Sequence, residues 1–222
     1  MKKTKKPLAP TSLVCIAIVT ALLATWLSGI VEEGGLAEPG HFESTAADGQ
    51  RQIDWDSLPD SVVAWVEVPG TSIDDPIVQA IPDAPNAYLY LDALGQGAYG
   101  TPYIDSECSI DSRFVMVYGH HMSDGSVFAD FASFIDPGYA SEHSEIIVYK
   151  RGGEVLYLHP VAADVVNAST ETLVIDQGGN LEEYASAADL VLEEASAEER
   201  LFAFATCSYQ TRNSRTIVYA QQ

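Results

Sequence analysis

EIIVYKRGGEVLYLHPVAADVV, residues 145–166, is two apolar, β-branched runs joined by Arg151-Gly152-Gly153. Val, Ile and Tyr suit a pleated, half-buried surface, and a Gly-Gly pair between such runs supplies the backbone freedom that a tight hairpin turn demands. The stretch reads as a β-hairpin. The same texture recurs on both sides, as short apolar or alternating runs punctuated by Gly, Pro, Asn and Asp: VAWVEVPG (63–70), DPIVQAI (75–81), AYLYL (87–91), GTPYID (100–105), RFVMVYG (113–119), RLFAFATC (200–207) and SRTIVYA (214–220). Many short strands with turn signals between them predict a mainly β fold, a sandwich or closed barrel rather than a parallel α/β sheet. Helical spacing interrupts the pattern in three places. IDWDSLPDSVVAW, from Ile53, offers Asp54 and Ser57 as caps for one or two short helices. Val127, Phe128, Phe131 and Phe134 predict a helix within 126–143 that ends near Pro137-Gly138. Asn180 as cap, Glu183 three residues on and the stripe Leu181, Tyr184, Ala188, Leu192 predict a helix over 180–200.

The front of the chain reads differently. Residues 1–12 carry four lysines and no acid, and Leu13–Val31 contains no charged residue. That run has about the 20 residues a membrane-crossing helix needs, longer than the roughly 7–15 residues of a cleaved signal's apolar core, and no small-x-small site closes it. It is expected to be an uncleaved signal anchor, with the lysines holding the N-terminus in the cytoplasm and the rest of the chain outside. Cys15, at the start of the apolar run, reads as a small apolar residue. Residues 32–51, rich in Gly, Ala and acids without an apolar period, are expected to form a flexible stalk, with the ordered domain over 52–222. The chain has 11 basic and 32 acidic residues, a formal net charge of −21. With four lysines in the N-terminal tail, the remainder is more acidic still, which excludes nucleic acid as a partner.

The chemistry concentrates in FATCSYQTRNSRTIVYA, 204–220. A cysteine attacks as its thiolate and needs a neighbouring base or cation to be useful near neutral pH. Of the five histidines, His41 lies in the stalk stretch, His143 follows the expected helix 126–143, and His159 precedes Pro160; each reads as a surface or edge residue. YGHHMSDG (118–125) instead presents His120 and His121 where a strand opens into a loop, and neighbouring side chains on an extended segment point opposite ways, so only one can enter a given cleft. The spacings that hold a metal ion, such as H-E-x-x-H or paired C-x₂-C, are absent. If the strands that end at Cys207 and begin at Arg215 are adjacent and antiparallel, thiol and guanidinium meet at one end of a sheet, where arginine's fork of donors could hold a carbonyl or an oxyanion. Arg212, in the same connection, is the other candidate, but only Arg215 leads directly into an apolar strand.

Taken together, VVAWVEVPGTSIDDPIVQ (62–79), NAYLYLD (86–92), VMVYGHHMSDGSVFADF (115–131), FATC (204–207) and RTIVYA (215–220) resemble, in the same order, segments of the sortases, membrane-anchored cysteine transpeptidases of Gram-positive bacteria, and within them class B. The resemblance runs from about residue 52 to the end. It implies a closed eight-stranded β-barrel with N-terminal helices and an additional helix before the strand that carries the cysteine. It implies Cys207 as nucleophile, His120 as general acid/base and Arg215 as oxyanion and substrate clamp, with substrate contacts at Asn86, Tyr88, Tyr118, Ala205 and Thr206, and no metal or other cofactor. His121 stands where class B sequences usually have asparagine, and Ala203-Phe204 where the family favours Thr and Leu. The implied partners are secreted proteins bearing a C-terminal sorting signal, and an amine of a peptidoglycan precursor or a pilin as acceptor. Two other readings compete: a non-catalytic surface module with a Cys108–Cys207 disulfide, and a cysteine peptidase that hydrolyses. Otherwise Cys108 is expected to be buried and inert.

Overall fold

Strand-forming runs become strands wherever two of them can pair, and the hairpin of residues 145–166 is among them. The computed structural model describes residues 43–45, 51–97, 99–171 and 176–222. The chain divides into two compact units, Met1–Ile53 and Asp54–Gln222. In the first, β1 (Glu43–Thr45) pairs antiparallel with β2 (Arg51–Ile53), so a strand lies within the stretch read as stalk. The second contains β3 (Val62–Glu67), β4 (Asp74–Gln79), β5 (Tyr103–Ile104), β6 (Phe114–Gly119), β7 (Ile146–Lys150), β8 (Val155–Asn167), β9 (Leu190–Val191), β10 (Leu201–Ser208) and β11 (Ser214–Gln221). Among the described residues no helix is long and apolar enough to cross a membrane; the anchor expected over 13–31 lies outside them.

The strands of the second unit form one sheet in the order β11-β10-β6-β5-β4-β3-β7-β8-β9, and β8 also pairs with β11. That last pairing turns eight strands into a closed barrel, which removes the free edges an open sheet would expose. β9 lies outside the ring on β8. Strand β10 is buried on both faces along almost its whole length. On one face Phe204 stacks on Phe131, with ring centroids 5.0 Å apart, and Phe131 meets Phe128 edge-on at 4.9 Å. Each of these fully buried rings contributes roughly 2–3 kcal/mol of transfer free energy, and together they fix the strand that carries Cys207.

The helices are shorter than the spacing predicts, and each difference has a local cause. Over 126–143, Phe131 and Phe134 lie on a 3₁₀ segment, Ala129–Ile135, with Phe128 just before it, and the α-helix α1 (Pro137–Glu142) begins where the single helix was expected to end. A residue before proline is driven to an extended conformation, as Asp136 is, and Pro at the first helical position is tolerated. Asp136 accepts from the Gly138 and Tyr139 amides at 2.8 and 2.9 Å and so starts α1. In place of the helix 180–200 stands α2 (Leu181–Ser186), followed by β9. Here the unpaired edge of β8 prevails over helix propensity: Leu190 and Val191 pair with Ala163 and Ala162, and Leu192 N–H donates to Val161 O. Asn180 donates to the Glu182 and Glu183 carboxylates instead of capping the backbone. The expected N-terminal helices reduce, among the described residues, to one 3₁₀ turn, Trp55–Ser57. The Arg151 guanidinium gathers the carbonyls of Trp55, Leu58 and Pro59 there, which holds the segment as a turn before β3. AYLYL is likewise not a strand: Ala87–Leu89 is a 3₁₀ turn beside the site described next.

Candidate active site

Three adjacent strands bring the sequence-predicted residues together. In the antiparallel pair β10–β11, Cys207 is directly opposite Arg215, and residues opposite one another present their side chains to the same face. In the parallel pair β6–β10, Ala205 is the partner of Tyr118 and Thr206 of Gly119. Alternation along β6 therefore sets Tyr118 and His120 on the face of Ala205 and Cys207, and directs His121 the other way. Tyr118, His120, Ala205, Thr206, Cys207 and Arg215, with Asn86, line a single cleft of about 450 Å³.

The ring of His120 is oriented by backbone. Its Nε2 lies 2.6 Å from the Leu89 carbonyl oxygen; since a carbonyl only accepts, Nε2 carries the proton, and Nδ1 makes no hydrogen bond among the described residues. Gly100, at φ +71°, passes so close that a Cβ there would stand 2.7 Å from His120 Cδ2 and 2.8 Å from Leu89 O. At Gly119, a Cβ would stand 2.3 Å from the Phe128 ring, so glycine is what lets β6 cross that ring and deliver His120 to the cleft.

Cys207 is partly exposed and Cys108 buried, and both are free thiols. The Cys108–Cys207 disulfide is thus not formed. Cys108 receives a contact from Gln177 Nε2 at 3.7 Å, and burial pushes its thiol pKa up, the condition of an inert cysteine. Arg215 makes no ion pair or hydrogen bond among the described residues, and its charge partly offsets the effect of burial, which raises the Tyr103 pKa. Arg212 is exposed in the connection between β10 and β11 and does not line this cleft, though it lines a neighbouring pocket that shares Cys207. Of the two arginines, Arg215 is the one that stands opposite Cys207 in the strand register and lines the cleft with His120.

Of the residues assigned to substrate, Asn86 and Tyr118 lie in the cleft wall. The Tyr118 hydroxyl is held by Asp105, and burial together with that carboxylate pushes its pKa well above the usual phenol range. Thr206 alternates to the face opposite Cys207, and its Oγ1 is buried with no hydrogen-bond partner among the described residues. Tyr88 is not in the lining; its carbonyl accepts from the Thr101 amide at 3.0 Å. The lining also includes Asp105 and Glu171, which the sequence did not single out. His121 bonds the Cys207 carbonyl through Nδ1 at 2.8 Å. His143 and His159 lie apart from the cleft, at Pro69 O and with Nε2 2.6 Å from a Glu193 carboxylate oxygen. Among the described residues no three His, Cys, Asp or Glu side chains gather as metal ligands.

The closed eight-stranded barrel is shared with solved structures. A Staphylococcus aureus sortase B–substrate complex superposes with a TM-score of 0.64 at 17% identity, covering 75% of this chain and 82% of that one. A Streptococcus pyogenes class B sortase involved in pilus biogenesis gives 0.64 at 22% identity, covering 76% of this chain and 95% of that one. The fold is that of the class B sortases. In sequence, Sortase B of Listeria monocytogenes is 29% identical over 94 residues, 40% of this chain; the match spans 37% of that relative's length. No family model matches the chain. Within the sortase B fold, the short α2 and the strand β9 occupy the stretch where the long helix was expected.

Proposed function

We infer that this chain is a sortase-type cysteine transpeptidase. The observation that carries the reading is the register that sets Cys207 across from Arg215, in one cleft with a histidine oriented by a main-chain carbonyl. Cys207 Sγ attacks a peptide carbonyl carbon at a threonine within a C-terminal sorting signal, and the Arg215 fork holds the oxygen as it gains charge. The carbon–nitrogen bond then breaks, His120 gives a proton to the departing amine, and a thioester to Cys207 remains. An amine of a peptidoglycan precursor or a pilin attacks the thioester and passes its proton to His120. The new amide leaves with the donor protein and the thiolate returns. The Leu89 carbonyl takes the part of the third, orienting group in this arrangement.

The uncharged run Leu13–Val31 behind four lysines supports a single-pass anchor with the catalytic domain outside the cell, where secreted substrates emerge. The strongly acidic balance of the rest suits a surface that approaches amines.

The experiment uses the full chain in detergent, incubated with a pool of sorting-signal peptides and triglycine and followed by mass spectrometry. An acyl adduct on Cys207 and an amide product are expected, the adduct lost in Cys207→Ala and the product in His120→Ala. Hydrolysed peptide with no amide at any triglycine concentration would point to a peptidase. No adduct with any peptide would reject the transpeptidase reading.

A further inference from the structure

The parallel ladder between β6 and β10 runs out one residue short of the nucleophile. Leu201 N–H donates to Arg113 O at 2.9 Å, which sets the odd-numbered residues of β10 with their backbone groups toward β6. Counting on by twos, the Cys207 carbonyl faces the place where the next donor of that strand, the backbone N–H of His121, would stand. Among the described residues that rung is not made by backbone. β6 ends at Gly119, the His120 carbonyl accepts from Phe128 N–H at 2.9 Å, and the His121 backbone is bridged to Val127. The turn that does this holds Val127 at φ 60°, a left-handed conformation that strains a β-branched residue. The side chain of His121 supplies the missing donor. Its Nδ1 lies 2.8 Å from Cys207 O, and because the acceptor is a carbonyl, Nδ1 bears the hydrogen. The ring also meets Tyr209 edge-on, with centroids 4.7 Å apart, so it touches both the nucleophile's peptide unit and the connection that follows it.

We propose that His121 is a positioning residue: a side-chain rung that extends the β6–β10 ladder to Cys207 and fixes the peptide from which the thiol projects. The acid/base role remains with His120, the only one of the two that enters the cleft. The effect on catalysis rests on the transpeptidase reading; the hydrogen bond itself does not.

The test exploits which atom donates. Asparagine carries Nδ2 one bond beyond Cγ, where histidine carries Nδ1, whereas glutamine places its amide one bond further out. In the full chain, His121→Ala and His121→Gln are expected to lower kcat for peptide-to-triglycine transfer about tenfold with KM changed less than about twofold, the signature of a misplaced reacting group. His121→Asn is expected to restore most of kcat. Equal kcat in His121→Gln and wild type overturns the proposal. Loss in His121→Asn as complete as in His120→Asn overturns it too, by making His121 the acid/base. A readout without turnover separates this from failure of the transpeptidase reading. Long-range ¹H–¹⁵N spectra of the imidazoles are expected to show neutral His121 protonated at Nδ1 and His120 at Nε2; His121 protonated at Nε2 would reject the rung whether or not the protein transfers peptides.

Discussion

His120 is held by features of the segment preceding β5 that carry no chemistry of their own. The Leu89 carbonyl accepts from Nε2, and Gly100 leaves the space in which ring and carbonyl meet. Gly100→Ala adds a methyl group where φ is +71° and no room exists, so the ring must swing off the carbonyl. It is expected to lower kcat/KM at least tenfold with an unfolding cost of only about 1–2 kcal/mol, read by transfer kinetics and by urea unfolding of the same sample. Activity lost only in proportion to folded protein would mean that the glycine serves stability alone. Arg215→Lys keeps the charge and loses the fork. If the guanidinium stabilises an oxyanion, kcat is expected to fall about 10²-fold while KM moves little, and a rise confined to KM would assign Arg215 to ground-state binding. Whereas the choice of His120 over His121 came from the resemblance to the sortases, the meeting of Cys207 with Arg215 was legible because alternation and register depend on residue spacing. Gly100 and Leu89 were not: one acts through a backbone angle and the other through a main-chain oxygen, and both meet a ring that follows them by 20 residues or more.

At the scale of elements, pairing partners decided what spacing could not. β6, β10 and β11 lay at the positions read from their apolar runs, since strands buried on both faces show as continuous Val, Phe, Ala and Ile. The helix expected over 180–200 has a sound apolar stripe and a plausible cap, yet its second half becomes β9, because the exposed backbone of β8 at Ala162 and Ala163 gains hydrogen bonds there. Sequence periodicity contains no information about an open edge on another strand. The 3₁₀ segment and α1 were read as one helix for a similar reason: the phenylalanine spacing is helical in either form, and Asp136-Pro137 marks a restart. The restart can be tested. With Asp136→Ala, the Gly138 and Tyr139 amides lose their acceptor, and α1 is expected to loosen at a cost of about 1 kcal/mol, seen as a lower urea midpoint with an unchanged slope. A change below about 0.3 kcal/mol would mean that packing of the buried Ala140, not the cap, holds the helix.

Across the whole barrel, within a chain of net charge −21, Asp75 is an acid held in an unfavourable position. Asp75 on β4 points along with Ile77, away from its exposed neighbour Asp74, and its Oδ2 is buried without a hydrogen-bond partner among the described residues. Burial pushes its pKa from the ordinary value of 3.8 up to about 6, with the Asp74 charge adding to the rise and an Asp74 backbone hydrogen bond opposing it. The folded state therefore retains a proton that the unfolded chain releases. Between about pH 4 and pH 6 the native state binds more protons, so stability falls as pH rises through that window and is lowest above it. A two-unit rise corresponds to at most about 3 kcal/mol, reduced by the partial exposure of the residue. Asp75→Asn removes the charge while keeping the shape. It is expected to stabilise the protein at pH 8, to give a smaller gain at pH 5, and to leave stability near that of the parent at pH 3.5, where the parent's Asp75 is protonated in the folded state. Urea midpoints at the three pH values decide it: a gain of the same size at every pH would trace the effect to something other than the buried charge, and a loss at pH 8 would mean that the carboxylate is ionised and satisfied in the native barrel.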